Sequence, residues 1–156
     1  MLALDVDFNQ AVLDITAYLL PQGFDVSSSA PSTYDELKAL MARTGRLVVY
    51  GDASQRTIYG DPAVNHAFRA WHDLCHLEGG YDTSFVGEAA ACRIQTRQVL
   101  RRYGDSWQTW RWQKIVEAEI IGQARHLERH GRFPVDQAGF VLAYLDDPAD
   151  ALDTRW

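Results

Sequence analysis

Apolar residues recur along most of this chain at the spacing of an α-helix. Near the N-terminus they fall on one face over about residues 6–20, and the helix is expected to stop at Pro21 and Gly23. A second helix start is predicted by the acids in Ser32–Glu36, with Gly45 as its stop. Asp61-Pro62 predicts the start of a helix that ends near Gly79-Gly80. Further helices are expected at about 85–103, 107–130 and 134–145.

Two short β-prone runs interrupt this helical pattern. Leu47–Tyr50 and Arg56–Tyr59 flank Gly51-Asp52-Ala53-Ser54, which predicts a short β-hairpin. The expected fold is therefore mainly α (α+β), with about five helices and one hairpin. A length of 156 residues fits a single domain over 1–156. The acidic segment 146–156 is expected to be a frayed tail.

The sequence Trp71-His72-Asp73-Leu74-Cys75-His76 carries the clearest chemical motif. Residues at i and i+4 lie one above the other on a helix, so His72 and His76 can point at one ion. The pattern differs by one methylene from the H-E-x-x-H zinc signature, whose acid is a general base. Asp73 is therefore the candidate base. The alternative is that these histidines belong to a polar stripe that faces solvent.

Polar residues also fall inside the apolar stripe of the helix predicted at about 107–130. Glu119, Gln123 and His126 lie there at helical spacing, and a buried carboxylate or carboxamide needs a metal, a charge or hydrogen bonds. A hydrogen-bonded core network is the alternative. On the helix predicted at about 85–103, Glu88 lies on the inward face, although the helix dipole alone would favour an acid there.

The same polar stripe on the motif helix includes Asn65 and Arg69. Arg69 lies one turn before His72 and is a candidate for holding an anionic substrate or an oxyanion, with Gln123 and Asn65 orienting it. A salt bridge from Arg69 to one of the carboxylates is the alternative of equal weight.

Two histidines do not complete a catalytic site. A catalytic zinc takes a third protein ligand and an open position for water, and Glu119 and Glu88 are the candidates for that ligand. Both acids together would also suit manganese or iron, so zinc is expected first and the other two after it. The acid that is not a ligand is a second candidate for the general base, beside Asp73.

Composition narrows the partners. A net charge of -6 argues against sequence-independent binding of nucleic acid. Two cysteines, an acidic N-terminus and the lack of a membrane-length apolar run predict a cytoplasmic protein without membrane contact. If Trp110 is exposed, as its helix position suggests, self-association or binding of a partner is favoured.

Three resemblances attach to these motifs. The order of strands, an H-D-x-x-H helix and a later helix with Glu resembles zincin metalloproteases, and departs from them at Asp73. His72-Asp73, Cys75-His76 and Gly87-Glu88 more faintly resemble HD-domain dNTP hydrolases, but this chain has no histidine before His66 for their further ligand. The strings over 65–73 and 117–123 look similar to small uncharacterised proteins of tailed bacteriophages, which implies no activity.

The sequence therefore predicts a metal-dependent hydrolase with a metal-activated water held by His72, His76 and Glu119 or Glu88. The substrate is expected to be a small molecule, with a nucleotide or phosphoester favoured if Arg69 faces the metal. A zincin-like protease is one alternative. The other is a non-catalytic interaction protein in which the same residues form a structural metal site or a buried polar network.

Overall fold

Helices make up most of residues 2–156, which are the part of the chain that the computed structural model describes. They are α1 (Val6–Leu19), α2 (Tyr34–Thr44), α3 (Pro62–Gly79), α4 (Phe85–Tyr103), α5 (Trp107–Glu117), α6 (Gln123–His130), α7 (Gln137–Asp146) and α8 (Pro148–Asp153). A π-helical turn, Ala118–Gly122, joins α5 to α6 without a break. Counting 107–130 as one helix gives seven in this part of the chain. The mainly helical class is confirmed, and about five helices was an undercount.

Local capping explains why several predicted helix ends agree with the structure. Thr33 and Glu36 form a reciprocal capping box at the start of α2, and Gly45 ends that helix in the left-handed conformation. Asp61 caps α3 by accepting a hydrogen bond from the amide of Ala63, at 2.8 Å, and proline follows the cap. These signals lie within a few residues of the ends that they determine, so the sequence alone reveals them.

The predicted β-hairpin was wrong. Strand β2 (Val48–Tyr50) pairs in parallel with β1 (Asp25–Ser27), and α2 is the crossover between the two strands. In this register Asp25 lies opposite Val48, and the Arg46 guanidinium binds both oxygens of the Asp25 carboxylate at 3.2 and 2.7 Å. The partner of β2 thus comes from a polar segment that carries little β signal of its own.

The other predicted strand, 56–59, is a buried turn-rich segment. Its backbone bonds go to helix starts: the Ile58 carbonyl accepts from the amide of Leu4, and the Arg56 carbonyl accepts from the amide of Ala138. The apolar character that suggested a strand serves the core instead, since Ile58 and Tyr59 are both buried.

The acidic tail is also ordered, contrary to the expectation of fraying. Asp147 caps α8, and Ala151 of this helix is fully buried. The Trp156 indole donates to the Ala151 carbonyl at 3.0 Å, and the Leu152 carbonyl lies 2.8 Å from Nε2 of His130. The tail therefore packs against the end of α6 and the start of α7.

Helix α3 lies at the centre of the fold, where it contacts both α1 and α4. Much of this helix is buried, and Trp71 is 0% exposed. At the crossing with α1, the Thr16 hydroxyl donates to the Val12 carbonyl and lies 3.1 Å from the Ala67 carbonyl. Among the helices of residues 2–156, none combines the length and the apolar character that a membrane crossing requires.

Candidate metal centre and cavity

Three side chains from two helices converge at one point. His72 and His76 project from adjacent turns of α3, and Glu88 comes from the first turn of α4. Each offers one ligand atom, and these atoms all lie within 4.8 Å of one another. No fourth His, Cys, Asp or Glu of residues 2–156 joins this group. We call these three residues the His–His–Glu centre.

The spacing within this centre fits a bound metal ion. The two Nε2 atoms are 3.0 Å apart, and the Glu88 carboxylate lies 3.0 Å from Nε2 of His72 and 3.6 Å from Nε2 of His76. Tetrahedral ligand bonds of about 2.0–2.1 Å to zinc put neighbouring ligand atoms about 3.3–3.4 Å apart, within a few tenths of an ångström of these distances. The centre therefore needs little rearrangement to hold such an ion.

Hydrogen bonds fix the opposite nitrogen of each imidazole. Nδ1 of His76 donates to the Tyr81 carbonyl at 3.0 Å, and Nδ1 of His72 donates to Oε1 of Gln95 at 2.8 Å. With both Nδ1 atoms protonated, neutral rings would present two lone pairs to each other across 3.0 Å. A second proton on one ring or a metal cation between the rings would relieve this contact, and this outer hydrogen bonding is typical of metal-binding histidines.

Electrostatics support a cation at this point. Burial opposes ionisation of Glu88, but hydrogen bonds from His72 and His76 lower the pKa of its carboxyl to about 2. Burial likewise would lower the pKa of His72, but the hydrogen bond and charge of Glu88 raise it above its ordinary value. The site thus keeps a carboxylate ionised and favours positive charge beside it.

Asp73, the predicted general base, lies beside the His–His–Glu centre rather than in it. It lines a small cleft of about 100 Å³ together with the three residues of that centre and with Ser32. Burial raises the pKa of Asp73 to about 6, although the charges of His72 and His76 oppose that rise. A carboxylate with such a pKa is suited to accept a proton near neutral pH.

A larger cavity of about 620 Å³ also has His72 and Glu88 in its lining. Most of its wall is apolar, with the rings of Phe68, Phe85 and Phe133 among the lining groups. Its polar lining includes most of the residues that the sequence singled out: Asn65, Arg69, His72, Glu88, Glu119 and Gln123. The fold thus brings side chains from α3, α4 and the π turn to one space.

Glu119 is not part of the His–His–Glu centre, so of the two glutamates considered as the third ligand it is Glu88 that lies with the histidines. The π turn carries Glu119 into the wall of the cavity, where it is 8% exposed. Its Oε1 atom is buried and has no hydrogen-bond partner. Burial raises the pKa of its carboxyl to about 8, and the charge of Arg69 only partly opposes this. Gln123, one turn later, is 7% exposed on the same wall.

Arg69 has a different set of partners from either predicted one. Its guanidinium donates to the backbone carbonyls of Tyr50, Asp52 and Ala53, and it lies over the Tyr50 ring. Asn65 is likewise engaged, because its amide donates to the Ser54 hydroxyl at 2.9 Å. Both residues therefore hold the 50–54 segment against α3. The guanidinium also lines the cavity.

The second histidine pair lies away from the cavity. His126 is fully buried, its Nδ1 bonds the Arg132 carbonyl at 2.9 Å, and its ring packs on Phe140. His130 contacts the tail, as described above. The predicted burial of Glu119, Gln123 and His126 on one face is confirmed, but only the first two line the cavity.

Sequence reasoning did not identify Gln95 as part of this site. The residue is fully buried and lies seven positions after Glu88, which puts it two turns along the same face of α4. A carboxamide on a buried face was the available signal. The Tyr81 carbonyl that holds His76 left no signal at all, since any residue type supplies a carbonyl.

The comparisons give no relative for this arrangement. No family model, no curated protein and no solved structure matches the chain. The geometry of the His–His–Glu centre and of the cavity beside it is therefore what indicates a function.

Proposed function

We propose that this protein is a metal-dependent hydrolase whose metal ion is held by His72, His76 and Glu88. The observation that carries the proposal is the convergence of two Nε2 atoms and a carboxylate at the wall of a cavity of about 620 Å³. Catalytic zinc sites use three protein ligands and leave one position for water. A set of two imidazoles and one carboxylate fits zinc first, and manganese or iron after it.

The proposed reaction is attack of water on an electrophilic substrate atom in the cavity. A metal held at this point would lower the pKa of its bound water toward neutrality. Asp73 borders the cleft that touches all three ligands, and it is our candidate to take the proton released by the attacking water. The leaving group then receives that proton, so the carboxylate is regenerated.

One observation favours a second candidate, a buried polar network without catalysis. The three residues already bond one another and the Gln95 and Tyr81 oxygens, so the network is largely satisfied without an ion. Three ligands and an adjoining cavity, rather than four ligands in a closed shell, favour the hydrolase. Chelation separates a catalytic ion from a structural one, since loss of a structural ion lowers the melting temperature markedly.

The decisive measurement is metal content after purification and reconstitution with zinc. We expect about one zinc per chain in the wild type and a large loss in His72→Ala and in Glu88→Gln. His130→Ala is the matched control, because it removes a histidine from the other i, i+4 pair and should retain zinc. Wild-type protein that stays folded but takes up no zinc, manganese or iron would refute the metal centre.

A hydrolytic assay then tests catalysis. We expect p-nitrophenyl acetate hydrolysis by the zinc-loaded protein to be lost in Glu88→Gln and on chelation, with the fold retained by circular dichroism. Asp73→Asn should lower the rate while zinc stays bound, because it removes the proton acceptor and no ligand. An equal rate in Asp73→Asn and wild type would show that Asp73 is not the base.

A further inference from the structure

The cavity has one polar group that the protein itself does not satisfy. Glu119 is 8% exposed, and its Oε1 atom is buried without a hydrogen-bond partner. An unpaired buried oxygen of this kind is costly, so native structures rarely retain one without a reason. Because Glu119 lines the cavity, a ligand inside it could supply the missing partner, and a donor would stabilise the ionised carboxylate.

Charges around the cavity restrict what that ligand can be. Three carboxyl side chains line it, from Glu88, Glu119 and Glu128, against the single guanidinium of Arg69. Arg69 is already bonded to three backbone carbonyls of the 50–53 segment. Arg69 is thus already bound to the protein, and at a pH where Glu119 is ionised the lining has more negative than positive side chains, which disfavours carboxylate and phosphate groups there.

The remainder of the wall determines the body of the ligand. Phe68, Phe85 and Phe133 line the cavity, with Ile120 and Leu127 beside them. Apolar walls with a few placed polar groups are the usual form of small-molecule sites, and the polar groups set the orientation of the ligand. Aromatic rings also attract a flat or cationic group that lies against their faces.

We propose that the cavity binds a small ligand with an apolar, flat body and a nitrogen group that donates to Glu119, rather than an anion. Gln123, one turn along and equally buried, is a second acceptor and donor for the same end of the ligand. Only the identification of this ligand as the substrate rests on the proposed function. In that case the nitrogen group lies at Glu119 and the bond to be hydrolysed lies toward His72 and Glu88.

Benzamidine and benzoate form a matched pair of probes, since they share a ring and differ in having N–H donors or only acceptor oxygens. Both are titrated into metal-free protein with chelator present, at about pH 8, and followed by amide NMR shifts. We expect benzamidine to bind with a dissociation constant of millimolar order, as suits so small a ligand. Benzoate should bind at least tenfold more weakly.

Variants then test the role of Glu119. Glu119→Gln should weaken benzamidine binding about tenfold or more, while Glu117→Gln, two positions away and outside the lining of this cavity, should leave it nearly unchanged. Benzoate binding as tight as that of benzamidine would overturn the proposal, as would benzamidine binding that Glu119→Gln leaves intact. Absence of any benzamidine binding would overturn it too.

The two proposals fail separately. Because the titrations use metal-free protein with chelator present, their outcome does not depend on a bound metal ion. Benzamidine binding in a protein that takes up no metal would leave this inference standing and refute the hydrolase. A protein that takes up zinc, but that binds benzoate more tightly than benzamidine when the metal-free form is titrated, would leave the metal centre standing and refute this inference.

Discussion

Replacing Glu119 with glutamine should stabilise the metal-free protein, and more so as the pH rises. The carboxyl is buried, it lacks a partner for Oε1, and its pKa is raised to about 8 chiefly by burial. In the unfolded chain the same group ionises near its ordinary value of 4.5. Glutamine has nearly the same shape and never ionises, so the variant removes this penalty without opening a cavity.

The direction in which stability changes with pH follows from proton binding. Between pH 4.5 and about 8 the native state keeps a proton on Glu119 that the unfolded state releases. Stability of the wild type therefore falls as the pH rises through this window. Each pKa unit corresponds to about 1.4 kcal/mol, which gives a penalty of about 3 kcal/mol at pH 7 and of about 5 kcal/mol well above pH 8. Water that enters the cavity would reduce both figures.

Urea unfolding followed by circular dichroism measures the effect, with chelator present at each pH. The difference in unfolding free energy between Glu119→Gln and wild type should grow by about 3 kcal/mol between about pH 5 and about pH 8. Glu117→Gln is the control. Glu117 is two positions away, its side chain is 45% exposed and it pairs with Lys114, so its substitution should change stability by less than about 1 kcal/mol.

The pH dependence is the discriminating part of this experiment. A change in packing or hydrogen bonding caused by the amide would shift stability equally at all pH values. Parallel curves for Glu119→Gln and wild type would therefore show that Glu119 ionises normally in the folded protein. That outcome would refute the reasoning that burial keeps this carboxyl protonated.

Two further predictions concern the His–His–Glu centre. In metal-free protein, Glu88→Gln should be less stable than wild type between about pH 4.5 and 6.5, because Glu88 is ionised and His72 is protonated there. Urea unfolding measures this difference in stability. The difference should vanish as the pH falls from 4.5 toward about 2, and it should shrink as the pH rises above 6.5. A difference that persists at pH 2 would contradict the prediction. Gln95→Leu should weaken zinc binding about 10–100-fold by competition with a chromophoric chelator, since His72 loses the acceptor that orients it. Gln98→Leu, which removes the partner of the Trp71 indole instead, should retain zinc affinity, and equal losses in both variants would refute a specific role for Gln95.

The helices were more predictable than the sheet because their signals are local. A cap such as Asp61 and the residues it bonds lie within one turn, so a short window of sequence reveals the helix start. The partner of β2 is Asp25–Ser27, which lies across the whole of α2, is three residues long and contains one apolar residue, Val26. The hairpin expectation chose the nearer β-prone run, whose backbone actually bonds the starts of α1 and α7.

The candidate site was predictable as a set of faces but not as a set of contacts. Helical spacing correctly placed His72 and His76 together and Glu88 on an inward face. It could not rank Glu88 against Glu119, because that depends on how α4 and the π turn pack on α3. Arg69 shows the same limit, since its partners are backbone carbonyls that no side-chain pattern reveals.

The two glutamates of the cavity have opposite electrostatic states, and this difference gives the cavity a direction. Hydrogen bonds from two histidines lower the pKa of Glu88 to about 2 against the effect of burial, whereas burial raises that of Glu119 to about 8. At neutral pH one carboxyl is charged beside a candidate cation site, and the other is neutral among apolar groups. A ligand that spans the cavity therefore meets a polar end at His72 and a hydrogen-bonding end at Glu119. Substitution of either glutamate would remove one of these two states. The orientation of a bound ligand therefore depends on Glu88 lying against the histidines and Glu119 lying away from them.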